Sequence, residues 1–265
     1  MKAFALAACA LLTMASGPAI AETATVNGIS LHYTVAGTGE PLLLLHGFGS
    51  CAADWGSIAE KLSATYKVIS IDARGHGQST NPGGVFSHGQ AAEDVRALLD
   101  ILGIKQARAI GFSTGGITLL HLATAFPDRL SRMVVVSGTN YFPDEARAIM
   151  QSAAMESLPP DVLARYRQCA SRGEEQVRSL VGQFRSLGFR EDDTNIQAAD
   201  LAKIKARTLI VHGDRDMFFP VSIPVNMYRS ISGSALWIVP NGDHSPTAGA
   251  DETTFVNEVA GFMAN

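Results

Sequence analysis

The sequence predicts an α/β fold: a mostly parallel central sheet flanked by helices, with a helical cap inserted after the sixth strand. Three observations predict it. Short apolar runs that read as buried strands alternate with helix-like stretches, the pattern of a parallel sheet covered on both faces. Gly111-Phe-Ser-Thr-Gly115 lies between one such run and a helix-like run, as a sharp strand-to-helix turn would. The alternation then stops over about 141–205, which is richer in charge and glutamine and carries no strand-like run.

Taken in order, the chain opens with Met1-Lys2, an apolar run from Ala3 to about Met14, and Ala19-Ile20-Ala21. One positive charge, a short apolar stretch and a small-x-small site read as a secretory signal over 1–21, cleaved to leave a single domain, 22–265. Leu6-Ala7-Ala8-Cys9 resembles a lipoprotein cleavage site but would leave an apolar core of only Ala3 to Ala8. Thr23 to Ala36 reads as two strands around Asn27-Gly28. Leu42–Leu45 is a continuous apolar run, about Ala53–Ser63 a helix, and Tyr66–Ile71 another buried strand. His88–Leu102 is helical, with Ala91, Val95, Leu98 and Leu99 on one side. Ala107–Gly111 is the strand before the pentapeptide; after it Leu119, Ala123 and Phe126 recur at helical spacing until Pro127. Met133–Val136 is the sixth strand. Helical stretches follow around Asp144–Ser157, Asp161–Ser171 and Glu174–Leu187. Strands resume at Thr208–Val211 and Ala235–Val239, with a helix between them and a last helix near Glu252–Met263.

Composition excludes several classes. The formal charge is −4, and loss of Lys2 makes it one unit more negative. With no basic cluster or aromatic-basic ladder, nucleic acid is not an expected partner. Past the signal no apolar run reaches the length of a membrane helix. The protein is expected in the periplasm or the medium. There Cys51 and Cys169 are free to form one disulfide, and two buried thiols are equally compatible with the sequence. No metal-ligand spacing occurs, and no cofactor is implied.

Ser113 is the most informative residue. A serine hydroxyl is a poor nucleophile without a base and an exposed geometry, and Gly-x-Ser-x-Gly supplies that geometry. The base and the acid that orients it should lie at the carboxyl ends of strands. Of the seven histidines, His244 follows the last strand in Pro240-Asn-Gly-Asp-His-Ser-Pro246, a turn-rich loop that can project over the sheet edge. His32 sits within a strand, His88 at a helix start and His121 well along a helix. For the acid, Asp214 and Asp216 both fall in the turn after the Thr208–Val211 strand.

Five motifs in order, His46-Gly47-Phe48-Gly49, Asp72-Ala-Arg-Gly-His-Gly-Gln-Ser79, Gly111-Phe-Ser-Thr-Gly115, Gly213-Asp-Arg-Asp216 and Gly242-Asp-His244, resemble the α/β-hydrolase superfamily. The resemblance is to its esterase/lactonase/haloperoxidase-like branch with a helical cap, and covers about 25–262. It implies Ser113, Asp216 and His244 as the catalytic triad, Asp216 being the last residue of the Gly-x-x-Asp pattern. It assigns the oxyanion hole to the backbone N–H groups of Phe48 and Thr114. The Thr114 assignment suits a helix N-terminus, where N–H groups are unpaired; one such donor is worth about 3–4 kcal/mol in a transition state. Arg74, His76 and Ser79 read as residues that build a turn.

The function this implies is hydrolysis of a carboxylic ester with a small to medium acyl group through an acyl-enzyme. A lactone is an alternative substrate. Aspartate-nucleophile relatives of the branch are excluded by Ser113. Carbon–carbon bond hydrolysis on the same triad is a further alternative, although such hydrolases typically carry an aromatic residue after the catalytic histidine, where this chain has Ser245. A non-enzymatic ligand receptor on a hydrolase scaffold is the alternative of a different class. Tyr141, Phe142, Met150, Met155, Tyr166 and Phe184 are candidate apolar linings of the substrate pocket.

Overall fold

The computed structural model describes residues 19–246 and 252–264. The expected signal segment therefore lies outside the described residues, apart from Ala19–Ala21. Strands β1 (Ile20–Val26) and β2 (Ile29–Ala36) form a hairpin, and the turn uses Asn27 and Gly28 at φ 44° and 77°, the left-handed pair that a two-residue hairpin requires. Cleavage after Ala21 would trim the first two residues of β1. Strands β3 (Pro41–Leu45), β4 (Lys67–Ile71), β5 (Ala107–Phe112), β6 (Leu130–Val136), β7 (Arg207–Gly213) and β8 (Ala235–Val239) complete an eight-stranded sheet of order β1-β2-β4-β3-β5-β6-β7-β8. The β1–β2 and β2–β4 pairings are antiparallel and all others parallel.

Burial on both faces explains why the central strands read as unbroken apolar runs. Along β3, Leu43 and Leu45 join one core cluster while Leu42 and Leu44 join the other, as the two-residue period of a strand dictates. The first cluster is closed by α2 (His88–Ile101) and α3 (Thr114–Ala125), which supply Val95, Leu98, Leu99, Leu119 and Leu122. The second is closed by α1 (Gly56–Ser63), entered through a 3₁₀ turn at Ala52–Trp55, and by α9 (Glu252–Ala264), through Leu62, Phe255, Val259 and Met263. Burying a side chain of this size contributes about 1.5–3 kcal/mol.

Between β6 and β7 lie α4 (Asp144–Gln151), α5 (Pro160–Cys169), α6 (Gly173–Leu187) and α7 (Ala198–Leu201); α8 (Ser222–Ser230) joins β7 to β8. Two details depart from the sequence expectation. The first helix stops at Gln151 instead of Ser157, because the Ser157 hydroxyl accepts from the Ala154 N–H at 3.0 Å and donates to the Ser152 carbonyl at 3.1 Å, offering the backbone a turn in place of a helix. Helix α7 is a single turn, too short to show a periodic signal.

The inserted segment has a small apolar cluster of its own, Tyr166, Val177, Leu180 and Val181. Polar and covalent links fix it to the sheet-bearing part. The Gln176 amide donates to the carbonyls of Gly75 and Gly77 at 2.8 and 2.9 Å, and Ser171 donates to Gly77 at 2.6 Å. Cys51 and Cys169 are bonded as a disulfide, with Cα atoms 5.5 Å apart.

Candidate active site

Strand β5 ends in a turn that forces Ser113 to φ 51° and ψ −115°, a conformation that a non-glycine residue adopts at a cost of order 1–3 kcal/mol. The neighbouring glycines are required by space. A Cβ on Gly115 would lie 2.0 Å from the Leu45 carbonyl oxygen, and one on Gly111 would lie 2.4 Å from the Gly115 carbonyl oxygen. Sheet and helix therefore approach so closely that only Gly-x-Ser-x-Gly fits. Ser113 donates its N–H to Val136 at 2.8 Å, which ties the turn to β6.

Ser113 Oγ lies 3.0 Å from His244 Nε2, and His244 Nδ1 lies 2.8 Å from Asp216 Oδ2. Asp216 Oδ1 accepts the N–H groups of Phe218 and Phe219 at 2.8 and 3.2 Å. The Asp216 side chain is wholly buried. Burial opposes its charge, but the His244 bond and the Phe218 N–H outweigh it and hold the carboxyl below its ordinary value. An ionised Asp216 keeps the proton on Nδ1 and leaves Nε2 bare toward the serine. Asp214 is exposed, with its N–H bonded to Val239; it takes no part in this chain of bonds.

Phe48 and Thr114 line the cavity that contains Ser113 and His244. Thr114 is the first residue of α3, so helix geometry leaves its N–H without an intrahelical acceptor. The Phe48 N–H is oriented by its neighbours. His46 Nδ1 donates to the Gly47 carbonyl at 2.7 Å, and His46 Nε2 accepts the Ala73 N–H at 3.0 Å. Burial pushes the His46 pKa down, which suits a neutral ring with one donor and one acceptor. Holding the Gly47 oxygen on one side turns the Phe48 N–H, in the same trans peptide, to the other.

Arg74 and Asp94 form a buried two-pronged ion pair at 2.7 and 2.8 Å, and Ser79 bridges the Asp72 carbonyl and the His32 N–H. His76 is fully buried, its pKa lowered to about 3 chiefly by that burial, and its ring meets Phe48 edge-on at 4.6 Å. These residues build the turn and buttress the loop of Phe48.

Sequence reasoning missed Phe218 and Phe219, which hold Asp216 through their N–H groups while their rings flank His244 at 4.7 and 5.5 Å. An apolar Met217-Phe-Phe219 run directly after the acid, in an otherwise polar turn, was the available signal. The cavity has a volume of about 310 Å³. Of the expected linings, Phe142, Met150, Tyr166 and Phe184 face it. Tyr141 instead forms an isolated bridge with Asn195, and Met155 packs on the cluster around Tyr166. Among the described residues, ligand atoms close enough to share a metal occur at Cys51, Asp54 and Cys169, and two of these are consumed by the disulfide.

Comparison with known proteins shows the family. Residues 40–166 match the family model described as the alpha/beta hydrolase fold. The chain is 30% identical over 233 residues to the human protein named serine hydrolase BPHL, covering 83% of this chain and 78% of that one. The chain belongs to the α/β-hydrolase superfamily. This hydrolase is also 26% identical to the pimeloyl-[acyl-carrier protein] methyl ester esterase of Vibrio vulnificus, over 82% of its own length and 91% of the relative's. A solved hydrolase from Pseudomonas aeruginosa PA01 superposes with a TM-score of 0.75 at 26% identity, covering 92% of this chain and 98% of that one. Relatives of these kinds are hydrolytic enzymes, which counts against the receptor alternative. Among the described residues no helix is long and apolar enough to cross a membrane.

Proposed function

We propose that the protein is a carboxylesterase that works through an acyl-enzyme on Ser113. The observation that carries this reading is the continuous Ser113–His244–Asp216 chain of hydrogen bonds, of which Ser113 and His244 line a largely apolar cavity. Ser113 Oγ attacks the ester carbonyl as its proton passes to His244 Nε2. The new Oγ–carbon bond leaves a negative oxygen facing the N–H groups of Phe48 and Thr114. Collapse expels the alcohol, which takes the proton from His244. Water then enters, gives a proton to His244 and attacks the acyl carbon; the acid leaves and the proton returns to Ser113. Asp216 stabilises the imidazolium formed in each half-reaction and is itself never protonated.

An apolar wall of Phe142, Met150, Tyr166 and Phe184 suits an acyl chain of small to medium length. A lactone presents the same carbonyl and would use the same steps. Ser113→Ala is expected to lower turnover of p-nitrophenyl esters by about 10⁶-fold; near-normal hydrolysis by that variant would sink the proposal. Export is proposed on the N-terminal pattern, and the Cys51–Cys169 bond suits an oxidising compartment. Sequencing the mature N-terminus checks it, with Glu22 expected first.

A further inference from the structure

His88 is held by a buried carboxylate in an arrangement that the proposed hydrolysis does not use. It begins α2, and its side chain is 1% exposed. Its Nδ1 is bonded to Asp193 Oδ2, and its backbone N–H donates to Asp193 Oδ1 at 3.1 Å. The Asp193 side chain is 0% exposed, with the Thr194 hydroxyl at 3.3 Å and Arg190 at 3.6 Å. Burial works against this carboxylate, but His88 and Arg190 outweigh it and hold the carboxyl below its ordinary value. The ring is fixed by Phe86 edge-on at 5.1 Å, Phe142 at 5.9 Å and the stacked His121 at 6.3 Å. Burial lowers the His121 pKa to about 4, so that neighbour is neutral. Two ring nitrogens here, His88 Nε2 and His121 Nε2, are buried and have no hydrogen-bond partner among the described residues; of the two residues only His88 lines the cavity of Ser113.

His88 also lines the cavity that holds Ser113. The same cavity is lined by Ile117, one turn along α3 from Ser113, and by Phe142 and Phe184, of which the Phe142 ring packs on His88. A buried ring nitrogen without a partner is costly, and a site built this way favours the ligand that satisfies it. We propose that His88, held in place by Asp193, is a specificity residue that takes a hydroxyl on the acyl chain of the substrate. A hydroxyl fits the atom in either protonation state, because it donates to a bare Nε2 and accepts from a protonated one. A carboxylate or a carbonyl would fit only the second. The inference rests on the esterase reading and adds a substrate class to it: esters of hydroxy acids.

The test follows hydrolysis of ethyl hexanoate and of the ethyl esters of 2-, 3- and 6-hydroxyhexanoic acid by titrating the acid released. The full chain is expected to favour one of the hydroxy esters over ethyl hexanoate by about tenfold in kcat/KM, mostly through KM. In His88→Phe, and in His88→Phe/Asp193→Leu, which leaves no unpaired buried carboxylate, that ratio is expected to fall to about one. A ratio within one preparation does not depend on how much of a variant folds. Ethyl hexanoate turned over with no preference for any hydroxy ester would overturn this inference alone. So would a preference that persists in both variants. Failure to hydrolyse any of the four esters would overturn the esterase reading beneath it.

Discussion

The turn that carries Ser113 and the helices between β6 and β7 both face the same cavity, but they are specified in different ways. At the turn, backbone geometry decides. Gly111 and Gly115 meet carbonyl oxygens where any side chain would collide, and Ser113 is held at a positive φ by hydrogen bonds to β6 and within α3. In the inserted helices the wall is set by which side chain fills which space, and no backbone constraint singles out Met150 or Phe184. On the proposed reading the turn therefore fixes the chemistry and tolerates little change. On the same reading the helices set the choice of substrate and can change without disturbing the turn.

Substitutions at the two regions should separate these roles, and the largest effect belongs to the turn side. Asp216→Asn is expected to lower kcat by about 10⁴-fold by removing the group that fixes the His244 tautomer, whereas Asp214→Asn should leave kcat within about twofold, as for an exposed side chain outside the site. Equal losses in the two variants, measured by ester hydrolysis, would break the assignment. Cys51→Ser addresses how the regions are joined. The bond spans 118 residues of sequence, and its loss is expected to cost about 2–4 kcal/mol of stability, read from denaturant unfolding. Unchanged stability would show that Gln176, Ser171 and Tyr166 hold the helices unaided. Met150→Ala should give the smallest effect. It enlarges the wall and shifts preference toward longer acyl chains by about tenfold in relative kcat/KM, with little change in kcat for the best substrate. A large uniform loss of kcat would mean that the helices also shape the turn.

The same difference governs what could be read from the sequence. Ser113 and His244 were legible because their turns need glycine, asparagine and aspartate in a fixed order at strand ends. Asp214 and Asp216 were equally plausible by position; the separation between them comes from the Phe218 and Phe219 N–H groups, a matter of turn geometry that composition does not encode. The cavity wall between β6 and β7 was legible only as a set of apolar residues, of which Tyr141 and Met155 point elsewhere, since packing partners between helices leave no local pattern. The Cys51–Cys169 pairing was open for a similar reason: it depends on how α5 lies over the loop after β3. Tyr166 shows the fit, because a Cβ on Gly49 would lie 2.1 Å from its ring. His88 reads in the sequence only as a residue at a helix start, because its partner Asp193 lies 105 positions away.

The central claim is that Ser113, activated by His244, is the nucleophile. Treating the protein with a fluorophosphonate, which forms a stable bond only with an activated serine, and locating the adduct by peptide mass spectrometry tests it most directly. One adduct per chain on Ser113 is predicted, with esterase activity lost in parallel and labelling abolished in His244→Ala. An adduct on another residue, or full ester hydrolysis with Ser113 unlabelled, would contradict it.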